Sequence, residues 1–339
     1  MFADLLKRLL YVSGTLAVYH RIRNARTLTV VMFHRVLHPS DPRWASCDPD
    51  YTLNSDLFGR CLGFFAEHYN IVSAEDVLRA RRGEYWLPPR AMLITFDDGW
   101  ADNVEFALPR MREHGLPGLM FVVSDAVDRA ESFYQERIVG AWRRGTLTLE
   151  RLADALRLHG TSVTLASIRD DAHLRHLIER VEELPDQARS LLLADLEAEL
   201  ADGLRQMLTS DELRVLDEGG IAIGLHGKTH TPMTQAADLD AELAGARSKI
   251  AARMPYRKPP STMSFPHGRF DAAIAAQAQQ AGYELAFTSV PAINAVQASV
   301  GWLLARLGCD TDAATDAQGR FQPERLALYL FRSPHRTLG

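Results

Sequence analysis

Cysteine is scarce and unpatterned: the chain has three, Cys47, Cys61 and Cys309, with no CxxC spacing. An odd count without close pairs excludes a disulfide framework and a thiolate-rich zinc site, and it suits a reducing compartment. A basic excess is also missing. With 38 Lys and Arg against 43 Asp and Glu, the formal net charge is -5, so there is no stripe to neutralise a phosphate backbone and nucleic acid is excluded as a partner. Long apolar runs are absent too. The longest mostly apolar stretch near the N-terminus, residues 9–19, falls short of the roughly 20 residues that span a bilayer. No small-residue cleavage site follows it, so neither a transmembrane helix nor a cleaved signal is expected. Finally, no G-x-G-x-x-G or G-x-x-x-x-G-K-[ST] follows any strand-like run, which removes the nucleotide-binding versions of an α/β fold.

What is present suits one large domain or a domain with an insertion: 339 residues, 47% hydrophobic and 24% charged. Residues 1–26 place Phe2, Leu5, Leu6, Leu9 and Leu10 at helical spacing, which predicts an amphipathic N-terminal segment. Its apolar face would dock on the protein's own surface or, helped by Lys7, Arg8, Arg21 and Arg23, on a membrane. The expected location is the cytoplasm, with this segment peripheral to the inner membrane face.

Short apolar runs then recur: TLTVVMFH (27–34), AMLITFDD (91–98), GLMFVVSD (118–125), GIAIGLHG (220–227), STMSFPHG (261–268) and LAFTSV (285–290). Several are near-continuous rather than alternating, the pattern of strands buried on both faces in a parallel sheet. Helical sequence separates them at 101–114, 236–254 and 271–281. The alternation predicts α/β architecture, as a barrel or as a doubly wound open sheet. Residues 130–217 break it with charged, Leu- and Ala-rich helical sequence, read as an insertion between two core strands. Thr209 and Glu212 supply a capping box near its end, and Gly219-Gly220 stop the helix.

In parallel α/β folds, catalytic groups come from the C-terminal ends of strands. Asp97 and Asp98 end one run, His226 a second and His267 a third, so three strands deliver ionisable groups to one end. His226 and His230 lie four residues apart. That spacing can aim two imidazoles at one ion, and a carboxylate would complete a two-His-one-carboxylate set. Successive residues at a strand end point in different directions, so one aspartate can bind a cation while its neighbour serves as a base. A turn with solvated carboxylates is the plainer alternative for DDG.

TFDDGW (95–100), HGKTH (226–230), SFPHGRFD (264–271), the MFHRVL opening (32–37) and the LAFTSV…LLARLG close resemble the polysaccharide deacetylase family, the NodB-homology carbohydrate esterases. The resemblance runs from about residue 27 to 310. It implies a distorted (β/α)7-type barrel over 27–339, carrying the insertion. It also implies a divalent metal ion held by Asp98, His226 and His230, zinc first and nickel, cobalt or iron as alternatives. Asp97 would be the general base in removing acetyl from an N-acetylated glycan or lipid-linked saccharide. A non-sugar amide hydrolase and a noncatalytic glycan-binding relative are the alternatives.

Three features depart from the family pattern. No histidine stands in LLARLGCD (303–310), where relatives carry the general acid, and His335 lacks the context. His267, in the place of an aromatic residue, is taken as the near-site catalytic histidine. His34, Phe265 and Pro266 are assigned to the substrate side. Arg257 precedes its strand and is set aside, whereas Arg306 resembles the late arginine that orients the base Asp97. Gly227 stands where many relatives have Ser or Thr.

Overall fold

Apolar residues on both faces of a strand require cover on both sides, and the strand-like runs obtain it. The computed structural model describes residues 2–163, 170–297 and 299–338. In it β1 (Thr27–Phe33), β2 (Ala91–Phe96), β3 (Gly118–Val122), β4 (Ile221–Leu225), β5 (Thr262–Ser264) and β6 (Leu285–Phe287) pair in parallel, each with the next. Every residue of β2 and β3 is buried. Two short strands complete the ring: β7 (Leu303–Leu304) runs parallel to β6, and β8 (Leu307–Gly308) runs parallel to β1. The expected (β/α)7-type barrel is therefore present, its seventh stave split at Ala305 and Arg306.

The split has a local cause. The Asn294 side chain accepts from Ala305 N at 2.8 Å and donates to the Ala305 carbonyl at 2.9 Å. Those are the backbone groups a continuous strand would use for its ladder. Asn294 itself lies on a short strand, Ile293–Ala295, that pairs antiparallel with the start of β1. The three cysteines are free and buried.

The chain divides into two compact units. The barrel unit comprises residues 1–38, 50–129 and 207–339. The second unit, 39–49 with 130–206, is helical, with a core of its own that includes Ile138, Leu152, Leu156, Leu177 and Val181. The insertion expected over about 130–217 thus ends at 206 and recruits a segment from before β2. The helix Ser210–Glu218, expected inside it, belongs to the barrel unit because Leu213 and Leu216 are buried in that unit's core. Its capping box forms as read: Glu212 N donates to Thr209 Oγ1, and Thr209 N donates to the Glu212 carboxylate. Residues 164–169 of the insertion, Met1 and the Phe2 side chain lie outside the described residues.

The single N-terminal helix expected is two, α1 (Phe2–Val12) and α2 (Thr15–Arg23), broken at Gly14, whose φ of +75° disfavours any residue with a Cβ. Leu10 and Tyr11 of α1 and Leu16 and His20 of α2 turn inward. His20 stacks on Phe331 with ring centroids 4.0 Å apart, and Arg23 donates to the Phe331 and Ser333 carbonyls.

Burial of His20, reinforced by the positive charge of Arg90, pushes its pKa from 6.5 down to about 3. Burial also lowers His68 and His335. A histidine depressed in the folded state is proton-free there, while the unfolded chain takes up a proton, so its contribution is lost as pH falls from 6.5 toward about 3. We expect the thermal midpoint to drop across this range, and less steeply in His20→Phe, which keeps the stack. Equal slopes for the two proteins would show that His20 does not govern the acid sensitivity.

Candidate active site

β2 delivers two carboxylates and then turns. Asp97 N donates to the Phe33 carbonyl at 2.9 Å, prolonging the β1–β2 pairing. Asp98 and Gly99 follow at φ +79° and +86°, and this double left-handed turn aims the two acidic side chains apart. A Cβ on Gly99 would lie 3.2 Å from Val122 Cγ1. His226 follows β4, with its N donating to the Val122 carbonyl at 2.8 Å. Of five non-glycine residues at positive φ among the described residues, three are Asp98, His230 and His267. Backbone strain concentrated this way marks a functional site.

Asp98 Oδ1 lies 3.5 Å from His226 Nε2 and 3.3 Å from His230 Nε2. One ligand atom from each of the three residues falls within 4.8 Å of the others. The second Asp98 oxygen accepts from Trp100 Nε1 at 3.0 Å, whereas Oδ1 is buried with no hydrogen-bond partner among the described residues. His226 Nδ1 faces the Ser264 carbonyl at 3.1 Å and Ser264 Oγ at 2.6 Å. A carbonyl can only accept, so Nδ1 carries the proton and Nε2 presents its lone pair toward Asp98. Burial, only partly opposed by the nearby carboxylates, lowers the His226 pKa to about 4 and keeps the ring neutral. An orphaned carboxylate oxygen facing two imidazole nitrogens fits a divalent cation, and this set matches nitrogen- and oxygen-binding metals such as zinc.

Beside this triad, Asp97 receives both guanidinium arms of Arg306, Nη1 to Oδ1 at 2.7 Å and Nη2 to Oδ2 at 2.8 Å. Arg306 Nε donates to the Thr288 carbonyl at 2.9 Å, which ties the guanidinium to the end of β6. Both residues are only 2% exposed. Burial alone would raise the Asp97 carboxyl, but the Arg306 guanidinium, through its charge and its hydrogen bonds, outweighs it and holds the group below its usual range. Ser264 Oγ donates to Asp97 Oδ1 at 3.3 Å, so one hydroxyl links this carboxylate to His226.

The remaining expected residues take varied places. His267 is exposed, with Nε2 3.2 Å from the His230 carbonyl and its ring 4.7 Å from that of His230. Phe265 was expected to face substrate but is 1% exposed and stacks on Phe270 at 4.4 Å. Pro266 is also buried. Both are buried where the chain turns at His267 (φ +55°), out of reach of a substrate. His34, half-buried at the end of β1, meets the Tyr51 ring edge-on at 5.0 Å and lines a small pocket with Asp50, Cys309 and Asp310. Sheet order puts β1 on one side of β2, and β4 and β5 on the other. His34 therefore flanks the aspartates from the side opposite His226 and His267. Arg257 pairs with Asp217 at 2.8 Å, and both precede their strands, away from the carboxylates.

Several supporting residues escaped sequence reasoning. Arg35 and Asp102 form a buried ion pair at 2.8 Å, with the Arg35 guanidinium 4.3 Å from the ring of Trp100. Trp100 in turn holds Asp98. Arg35 sits inside MFHRVL and Asp102 two residues beyond TFDDGW, but spacing does not separate a buried pair from surface charges. Glu242 lies in a stretch that reads as a solvated helix, yet its buried carboxylate accepts from Lys228 N at 2.6 Å, Thr229 N at 3.1 Å and Thr229 Oγ1 at 2.6 Å. A Cβ at Gly227 would lie 3.0 Å from Glu242 Oε2. Glycine at 227 therefore makes room for a carboxylate that braces the histidine loop without a hydroxyl there. Glu242→Ala is expected to weaken metal retention by roughly 10- to 100-fold, and Glu242→Gln less so. Unchanged affinity in both, measured by chelator competition, would remove Glu242 as a positioning residue.

Comparison with known proteins agrees with this fold. YxkH of Bacillus subtilis (strain 168), whose name includes polysaccharide deacetylase, is 27% identical over 71 residues, 21% of this chain and a quarter of that relative's length. Among solved structures, the Streptococcus pyogenes deacetylase PplD in complex with acetate covers 90% of this chain and 98% of its own, with a TM-score of 0.56 at 15% identity. IcaB from Ammonifex degensii covers 90% and 97% with the same score and identity. A de-N-acetylase from Aggregatibacter actinomycetemcomitans covers 85% and 97%, TM-score 0.54 at 16% identity. These likenesses are of fold. The family model for polysaccharide deacetylase matches residues 86–286, more than half of the chain, and spans Asp97, Asp98, His226, His230 and Ser264: the chain belongs to the polysaccharide deacetylase family.

Proposed function

We propose that the protein is a metal-dependent N-deacetylase acting on N-acetylated sugars of a polysaccharide or a lipid-linked saccharide. One observation carries the reading: an orphaned Asp98 oxygen and two imidazole nitrogens converge beside a second, ionised carboxylate clamped by arginine. Asp98, His226 and His230 would hold the cation, zinc first, with nickel, cobalt or iron as alternatives. When bound there, it would polarise the acetyl carbonyl and make water easier to deprotonate.

Asp97 then takes the proton of the attacking water. Arg306 keeps that carboxylate ionised and oriented, and because Oδ1 already accepts from both Arg306 and Ser264, it is Oδ2, accepting from Arg306 alone, that retains a lone pair for the proton. The amine must leave protonated, and His34 is the proposed donor because it flanks the aspartates from the β1 side. His267, with Nε2 turned toward the His230 carbonyl, lines the site. A purely glycan-binding role would not require the Arg306–Asp97–Ser264–His226 chain of contacts.

The test is acetate release from an N-acetylglucosamine oligomer, before and after chelation and divalent-ion restoration, alongside small cyclic amides. Release that chelation abolishes and metal restores supports the proposal. Hydrolysis of the cyclic amides alone would overturn its substrate, and metal-independent release would overturn its mechanism.

A further inference from the structure

The N-terminal helices turn an apolar stripe toward solvent. On α1, Leu9 and Val12 are 57% and 74% exposed, with Leu5 and Leu6 beside them; on α2, Ile22 is 76% exposed, next to Val18 and Tyr19. Positions 5, 9 and 12, and then 18 and 22, follow helical spacing, so each set forms one face. The inward face of α2 is a different one, carrying Leu16 and the partly polar His20. Docking on the barrel therefore leaves much of the segment's apolar surface in water. Elsewhere the exposed large hydrophobics are scattered along the chain, at Tyr51, Trp86, Leu158, Leu191, Val215 and Tyr256. Seven exposed large hydrophobic side chains gathered on two consecutive helices mark an interaction surface.

Charge around the stripe selects its partner. Residues 1–26 hold five basic side chains against the single acid Asp4, in a chain whose net charge is -5. Arg8 and Arg21 are exposed and belong to the same two helices as the leucine and isoleucine face. No helix among the described residues is long and apolar enough to cross a membrane.

We infer that the outward face of α1 and α2 docks peripherally on an anionic lipid bilayer, its leucine, valine and isoleucine side chains at the acyl boundary and its basic side chains at the lipid phosphates. A second copy of the chain is the poorer occupant. A two-fold contact places the same patch on both sides, so this surplus of positive charge would meet itself. The inference uses no residue of the metal site and stands apart from the proposed chemistry.

The experiment mixes the full chain with phosphatidylcholine vesicles, with and without about 30% phosphatidylglycerol, and measures co-sedimentation. Binding to the anionic vesicles is expected to weaken with added salt, and to fall roughly tenfold or more in Leu9→Asp/Ile22→Asp and in Arg8→Glu/Arg21→Glu. Both variants change exposed positions, so their unfolding midpoints should match the wild type. Binding to neither vesicle would overturn the inference, as would equal, salt-insensitive binding to both. A dimer dissolved by Leu9→Asp/Ile22→Asp, without vesicle binding, would assign the face to a second copy.

Discussion

Asp97→Asn is expected to retain metal yet lose acetate release by roughly 10²- to 10⁴-fold, the usual worth of a general base. The change nearly preserves volume and leaves Asp98, His226 and His230 in place. It removes a group able to take a proton, and it replaces one acceptor of the Arg306 fork with an amide that donates. The loss should appear in kcat and kcat/KM alike, as for a contact needed in the transition state. A raised KM with unchanged kcat would assign Asp97 to substrate binding.

Arg306→Met should produce the largest change in stability. Asp97 would keep a buried carboxylate without the bidentate partner that now offsets burial. Breaking such a pair from one side costs about 3–5 kcal/mol, measurable by denaturant unfolding. A carboxylate with a depressed pKa stabilises the fold above its unfolded pKa, and that contribution is lost as pH falls through the folded value. Without Arg306, burial dominates and the Asp97 pKa rises, so the acid limb of kcat/KM should move to higher pH. Arg306→Lys keeps a charge but not the fork, and should restore stability more fully than activity. Wild-type unfolding and an unmoved acid limb in Arg306→Met would show that the pair is dispensable.

Much of the barrel was legible because two-sided burial leaves a direct trace in composition, as in AMLITF and GLMFV. The strand-end rule likewise singled out Asp97, Asp98 and His226, since parallel strands bring their C-terminal ends together whatever lies between them. Less visible were features that depend on contacts distant in sequence. The split of the last strand comes from Asn294, eleven residues before Ala305, and one asparagine in a loop-like stretch carries no such signal. Glu242 reads as a solvated helical residue until the histidine loop folds over it. Phe265 was expected on the substrate side, but β5 ends one residue earlier and the residue is buried. At the N-terminus, periodicity predicted helix but not which face would meet the barrel, and Gly14 divided one expected helix into two. The insertion boundary slipped from 217 to 206 because capped amphipathic helices read alike whether they cover a sheet or one another.

In the proposed site, Asp98, His226 and His230 hold one divalent cation beside the Arg306-bound carboxylate of Asp97. Metal content per chain, measured by mass spectrometry after dialysis against zinc, tests it most directly in wild type, Asp97→Asn and Asp98→Ala. One equivalent is expected in the first two proteins and little in the third. A wild type that retains no zinc, nickel, cobalt or iron, or an Asp98→Ala protein that retains as much as wild type, would contradict it.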